Sequence, residues 1–268
     1  MGLRKKIRQF AFRHGTIIER AAPEAAVCDF IKRFRENFVS ADLIRIGGDH
    51  DGGYLVPKIL DQVQYCFSPG VDVTADFEKQ LSRDYQIRSF MADASVDAPP
   101  LVDENFTFSK KFLGLKSSGN YVTLSDWVSQ SVGKNAVNMV LQMDIEGGEY
   151  DVLIYESSEF LSKFSIMIIE FHDLQNLFER NFLNSITAIF EKIYCHFAVC
   201  HVHANNCCGL AQMNGIDVPR VIEVTFVRRD LVELCSLPDT VCLPHHLDQR
   251  NVVNIDDLLM PDLWWKKT

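Results

Sequence analysis

A chain of 268 residues, 47% of them hydrophobic, can bury one large core, and its layout reads as a single domain over residues 41–268 behind an N-terminal helical extension over residues 1–40. Its formal charge of -9 argues against a nucleic-acid surface spread over the molecule, so no nucleic-acid partner is expected. No apolar run is long enough to span a bilayer, and Arg13 and His14 interrupt what could have been a signal-peptide core, so the expected location is cytoplasmic.

The chain opens with a basic segment. Arg4, Lys5, Lys6, Arg8 and Arg13 precede any acid, and Leu3, Ile7, Phe10 and Phe12 partly line one side of a helix. The segment is either a solvated terminal helix or an arm for peripheral contact with an anionic membrane or partner. Lys6 stands where the myristoylation pattern needs Ser or Thr. A helix follows over about residues 22–38, then RIGGDHDGGYLVP (residues 45–57), whose Asp-Gly-Gly predicts a turn between two short apolar pieces. Strand and helix alternate from there: strands over 63–67 and 87–91 flank a helix over 75–85. An extended piece covers 106–115, a strand 121–124, a helix 125–131 and a buried central strand 137–143. A helix over 146–161, an apolar strand over 164–171 and a helix over 174–193 continue the pattern. The strands at 196–203 and 220–228 lack room for a crossover helix and are expected to pair antiparallel. The fold class is therefore α/β, a mostly parallel, doubly wound, seven-stranded sheet closed by an antiparallel C-terminal hairpin, which is the layout of class I methyltransferases that use S-adenosylmethionine. Cys28, Cys66, Cys195, Cys200, Cys207, Cys208, Cys235 and Cys242 include no Cys-x-x-Cys and are expected as reduced thiols without disulfides.

In an open α/β sheet, ligands sit at the carboxyl ends of the strands. The first such end reads SPGVDVTADFE, and its single Gly70 lets backbone approach a ligand that has no pyrophosphate. Ser68, Pro69, Gly70, Val71 and Asp72 are accordingly candidate cofactor contacts, although Asp72 or Thr74 could equally cap the next helix. The second end, MADAS, supplies Asp93, Ala94 and Ser95; Asp93, about twenty residues after Gly70, suits ribose hydroxyls. Arg45, Asp51, Gly52, Gly53 and Tyr54 form a backbone-rich loop able to close over the cofactor's amino-acid end, or else an ordinary glycine turn. The run LQMDIEGGEYDVL puts Asp144, Glu146 and Glu149 at the central strand's end. Asp144, also a cofactor contact, Glu146 and His172 are the candidate catalytic groups that would deprotonate or position a hydroxyl, with helix-dipole acids as the plain alternative. Asp144, Glu170, His172 and His203 could converge as a mixed oxygen and nitrogen site for Mg, Mn, Fe or Zn. A zinc site on Cys200, His203, Cys207 and Cys208 fits no standard finger spacing.

Several of these stretches together resemble the FkbM-type methyltransferases. TLSDW (Thr123 to Trp127) is similar to that family's Thr-Leu-Asp-Asp stretch, QMDIEGGEYDVL to its Lys-x-Asp-x-Glu-Gly-x-Glu signature, and IIEF follows in order. RIGGDHDGGYLVP, FSPGVDVTADFE and PRVIEVTFVRRD extend the likeness over about residues 45–230. The resemblance implies a Rossmann-like enzyme using S-adenosylmethionine to methylate an oxygen, often on a sugar, glycan or secondary metabolite. It carries Asp144, Glu146, Gly147 and Glu149 over from the signature. Three departures stand out: Gln142 replaces the family lysine, Ser125 replaces the first Asp of the Thr-Leu-Asp-Asp stretch, and Ser68-Pro69-Gly70 replaces a more glycine-rich turn. The expected function is O-methyl transfer to a small-molecule or glycan acceptor; the rivals are a catalytically idle cofactor-binding module and a metal-dependent hydrolase.

Overall fold

The computed structural model describes residues 3–18, 20–71, 73–233 and 242–266. Helices α1 (Leu3–Arg13) and α2 (Glu24–Glu36) lead into a hairpin of β1 (Leu43–Ile46) and β2 (Tyr54–Pro57). Next come β3 (Tyr65–Pro69), α3 (Asp76–Tyr85), β4 (Arg88–Ala92), β5 (Phe106–Ser109), and a short parallel pair, β6 (Phe112–Leu113) and β7 (Tyr121–Val122). The chain continues through α4 (Leu124–Val132), β8 (Met139–Met143), α5 (Glu149–Tyr155), α6 (Ser158–Leu161), β9 (Phe164–Phe171), α7 (Arg180–Tyr194) and β10 (Phe197–Ala204). It ends with a hairpin of β11 (Leu210–Met213) and β12 (Ile216–Pro219), and β13 (Ile222–Arg228).

Strands β8 and β9 bury every residue, as a parallel sheet covered on both faces requires. Seven strands form the main sheet in the order β10-β13-β9-β8-β3-β4-β5. β13 runs antiparallel to both β9 and β10, while β8 is parallel to β3 and β9, and β4 is parallel to β3 and β5. The arrangement is consistent with a Rossmann-like fold, and the expected antiparallel C-terminal pair is present, with β13 inserted between β9 and β10. After β5 the chain returns past β3 to form β8, so the order reverses between β3 and β8. In such sheets that reversal opens a crevice at the strands' carboxyl ends.

Alternate side chains feed the two faces. Phe67, Leu141, Met167 and Phe226 join Phe30, Ile31 and Phe34 of α2 and Ile186 and Phe190 of α7 in the larger core, into which the C-terminal Trp264 is also buried. Cys66, Val140, Ile166 and Ile168 pack on the other face with Tyr54 and Val56 of the β1/β2 hairpin and Phe77 and Leu81 of α3. Among the described residues no helix is long and apolar enough to cross a membrane.

Several sequence expectations break at local backbone geometry. The helix expected over 146–161 begins only at Glu149, because Glu146 and Gly147 turn with φ of 53° and 95°, and Ser157 starts α6 by accepting the Phe160 amide. The helix expected over 174–193 is a 3-10 turn (Leu174–Phe178), entered through Asp173 at φ 54°, followed by α7. Thr123 is the N-cap of α4 rather than strand, and part of the loop after β10 is the β11/β12 hairpin. The expectation of no disulfide is corrected at Cys207 and Cys208, which are paired; adjacent in a turn, they need no distant partner. Cys235 lies outside the described residues.

Candidate active site

The crevice is built by backbone first. Gly70 N donates to the carbonyl of Ala92 at 3.0 Å, and Asp144 N donates to that of Pro69 at 3.3 Å, tying the ends of β3, β4 and β8 together. At Gly70 φ is 88°, and a Cβ there would lie 1.5 Å from the carbonyl oxygen of Asp144. Only glycine lets these strand ends approach so closely.

Around this junction lies a cavity of about 750 Å³, within the range of small-molecule sites. Of the residues marked out by sequence, Asp51, Gly52, Tyr54, Gly70, Val71, Asp93, Ser95, Asp144 and Glu146 line it. Arg45, Gly53, Ser68, Pro69 and Ala94 do not line it, and Asp72 lies outside the described residues. Arg45 instead donates to the carbonyls of Gly48 and His50 at 3.0 Å each, bracing the β1/β2 turn. Asp93 Oδ1 accepts from the Ser95 amide at 2.7 Å and hydroxyl at 2.6 Å.

Sequence reasoning missed part of the lining: Thr74, Asp76, Glu78, Phe112, Leu113, Tyr121 and Gln142. Phe112 and Tyr121 are exposed and separated by eight residues, and only the β6/β7 pairing sets their rings 5.8 Å apart. The change from Lys to Gln at position 142 was visible, but not what it joins. Gln142 Nε2 donates to Tyr54 Oη at 3.0 Å, and its Oε1 accepts from Ser68 Oγ, which also bonds the Glu78 carboxyl. Burial raises the Glu78 carboxyl above its ordinary value, and the hydrogen bond it accepts from Ser68 opposes that. This hydrogen-bonded chain joins Tyr54, Gln142 and Glu78, all three of which line the cavity.

His172, Glu170 and His203 are not lining residues either, but His172 sits among carboxylates beside Asp144 and Glu146. Its Nε2 is 3.7 Å from Asp144 Oδ1, 3.5 Å from Glu146 Oε2 and 3.8 Å from Glu170 Oε1, and its Nδ1 is 3.5 Å from Glu149 Oε1. Burial works against the imidazolium, but Glu149, Asp144 and Glu146 outweigh it and raise the ring above its ordinary value. Burial pushes Asp144 up to about 7, with His172 opposing and Glu146 and Asp51 reinforcing. Glu170 is raised well above the carboxylate range by burial, then by Asp144 and Glu223. One nitrogen and two oxygens, from His172, Asp144 and Glu170, lie within 4.8 Å of one another, as do oxygens from Asp51, Glu170 and Glu223.

His203 is not brought into the first of these groups. It faces Glu223 (Nδ1 to Oε2, 3.6 Å) and Asp257 (Nε2 to Oδ1, 3.3 Å). Burial lowers its basicity, yet Glu223, Asp248 and Asp257 carry it to about 9. The residues of the alternative zinc site also stay apart in role: Cys200 Sγ donates to the Thr225 carbonyl, and Cys207 and Cys208 pair with each other.

Glu149 holds the mouth in shape. Fully buried, it accepts from the Gly147 amide at 2.9 Å and the His172 amide at 2.8 Å, while Tyr150 Oη donates to the His172 carbonyl at 2.5 Å. Glu149→Leu orphans both amides, and the expected loss of about 2–3 kcal/mol should appear in thermal unfolding as a Tm lower by roughly 4–12 °C.

Fold and site thus combine a seven-stranded α/β sheet, consistent with a Rossmann-like fold, with an acid-lined cavity at its switch point. Residues 120–194, which contain Thr123, Asp144, Glu149 and His172, match the model of the methyltransferase FkbM domain family. Among solved structures, M. jannaschii TYW2 in complex with AdoMet is similar at 10% identity and a TM-score of 0.30, over 77% of this chain and 78% of that one. A mutant of the 16S rRNA (adenine(1408)-N(1))-methyltransferase from Catenulisporales acidiphilia is similar at 11% identity and a TM-score of 0.29, over 70% and 98%. No curated protein matches the chain.

Proposed function

We propose that the chain is an S-adenosylmethionine-dependent methyltransferase that methylates a hydroxyl of a small-molecule or glycan acceptor. The observation that carries the reading is that Gly70, Asp93 and Asp144, from three strand ends, line one cavity, with Asp144 inside the FkbM match. The residues present fit the cofactor. A single close-approach glycine suits a ligand without pyrophosphate, Asp93 in the lining suits ribose hydroxyls, Phe112, Leu113 and Tyr121 offer an apolar wall for a base, and Asp51, Asp76 and Glu146 give the lining a negative character that suits a sulfonium. When bound, the cofactor supplies a methyl group on a positively charged sulfur, a good leaving group for in-line displacement.

The protein's own contribution is alignment and a place for the acceptor's proton. Asp144, pushed up to about 7, is the base, and His172, 3.7 Å away, stabilises its ionised form. An acidic mouth favours a neutral polyhydroxyl acceptor over an anionic one. A second reading rests on the close approach of Asp144, Glu170 and His172: with His172 neutral, they could hold a divalent cation that polarises the acceptor oxygen.

Thermal unfolding with S-adenosylmethionine, with and without EDTA, tests both. At a hundredfold excess over Kd, stabilisation of about 2.7 kcal/mol is expected; methylation of members of a glycan and metabolite panel should follow. No Tm shift at millimolar cofactor would defeat the methyltransferase reading. A shift and turnover indifferent to EDTA would defeat the cation alone.

A further inference from the structure

The N-terminal segment carries an exposed surface that the cavity chemistry does not use. Gly15, at φ 73°, ends α1, and Thr16 N donates back to the Ala11 carbonyl at 2.9 Å, folding residues 16–18 along the helix. The fold-back forms a groove of about 400 Å³ where Phe12, Ile17 and Ile18 meet Lys5, Arg8 and Arg13. Phe12 is 74% and Ile17 73% exposed, and on another side of α1 Phe10 is 67% exposed. Among the described residues of this segment, none belongs to a buried core cluster.

We infer that residues 3–18 form a docking element for the interface of an anionic lipid bilayer. The ground is charge complementarity joined to apolar exposure. No acid occurs before residue 19, against a net charge of -9 for the whole chain, so the basic end alone is attracted to an anionic surface and orients the molecule upon it. Cations by themselves would also suit a polyanion in water, but Phe12, Ile17 and Ile18 would gain nothing there, whereas the headgroup boundary accepts both chemistries at once. A second copy of the same face would set cation against cation. The inference is independent of the chemistry proposed for the cavity.

The test is co-sedimentation of the full chain with vesicles of phosphatidylcholine, alone or mixed with phosphatidylserine. Retention on the mixed vesicles only is expected, and it should weaken at about 1 M salt, where the screening length falls to about 3 Å. Lys5→Gln/Arg8→Gln/Arg13→Gln should lower partitioning by roughly a hundredfold, and Phe12→Ser/Ile17→Ser by about tenfold or more. Tm should stay unchanged in both, since the segment lies outside the core. Failure of the wild-type chain to bind mixed vesicles would overturn the inference. So would undiminished binding by the folded variants, or retention on homopolymer RNA or an acidic protein in place of the vesicles.

Discussion

Gly70→Ala is expected to cut the stabilisation by S-adenosylmethionine sharply and to lower the Tm of the ligand-free protein by at least roughly 4 °C. Two effects add. A non-glycine residue at φ 88° is strained by about 1–2 kcal/mol, and the new Cβ would lie 1.5 Å from the Asp144 carbonyl oxygen, a backbone atom that cannot rotate away. Relief requires β3 and β8 to part by an ångström or more at the point where Asp144 N bonds the Pro69 carbonyl, and overpacking of this kind costs about 1–3 kcal/mol more. At 2–4 °C per kcal/mol the sum is readily seen. The same parting displaces Asp144 and the cavity floor, so affinity should fall by more than tenfold even in the surviving folded fraction. A variant that binds the cofactor normally would place the ligand elsewhere in the molecule.

The geometry behind that expectation was partly legible in the residues themselves. The buried runs MVLQM and FSIMIIEF (Met139–Met143, Phe164–Phe171) contain no polar alternation, which marks strands covered on both faces, and the carboxylates after them fall at strand ends by simple adjacency. Gly70, Asp93 and Asp144 were therefore within reach of sequence. Contacts that depend on pairing were not. Phe112 and Tyr121 become neighbours only through β6 and β7, and Glu223 faces Glu170 only because β13 enters the sheet beside β9. His203 offered ligand chemistry by type, but the same insertion gives it Glu223 as a cross-strand neighbour. Helix ends at Glu146 and Asp173 were hidden because positive φ at a non-glycine residue follows from tertiary constraint, not from composition. The vicinal pair Cys207 and Cys208 escaped a reading based on long-range spacing.

Asp144→Asn is expected to separate catalysis from cofactor binding. If Asp144 accepts the acceptor's proton, its removal should reduce kcat by about 10²–10⁴ and weaken cofactor-induced stabilisation far less, since an amide of the same shape keeps the cavity filled. A base role would require the ionised form, so wild-type activity should then rise with pH through about 7 and level. Burial, the largest cause of that raised value, also fixes the sign of the stability effect. The folded carboxyl titrates at about 7 against an ordinary 3.8, so folding binds a proton between those values and the native state loses stability as pH rises across that window. Above pH 7 the wild type holds a charge that the fold disfavours, relieved in part by His172, and below about pH 4 it does not. Asp144→Asn should accordingly unfold at a higher temperature than wild type at pH 8 and at nearly the same temperature at pH 4. A carboxylate kept at a cost in stability is what a role in the proposed chemistry would leave behind. Retention of kcat within tenfold of wild type by Asp144→Asn would rule Asp144 out as the base and leave His172, 3.7 Å away, as the next candidate.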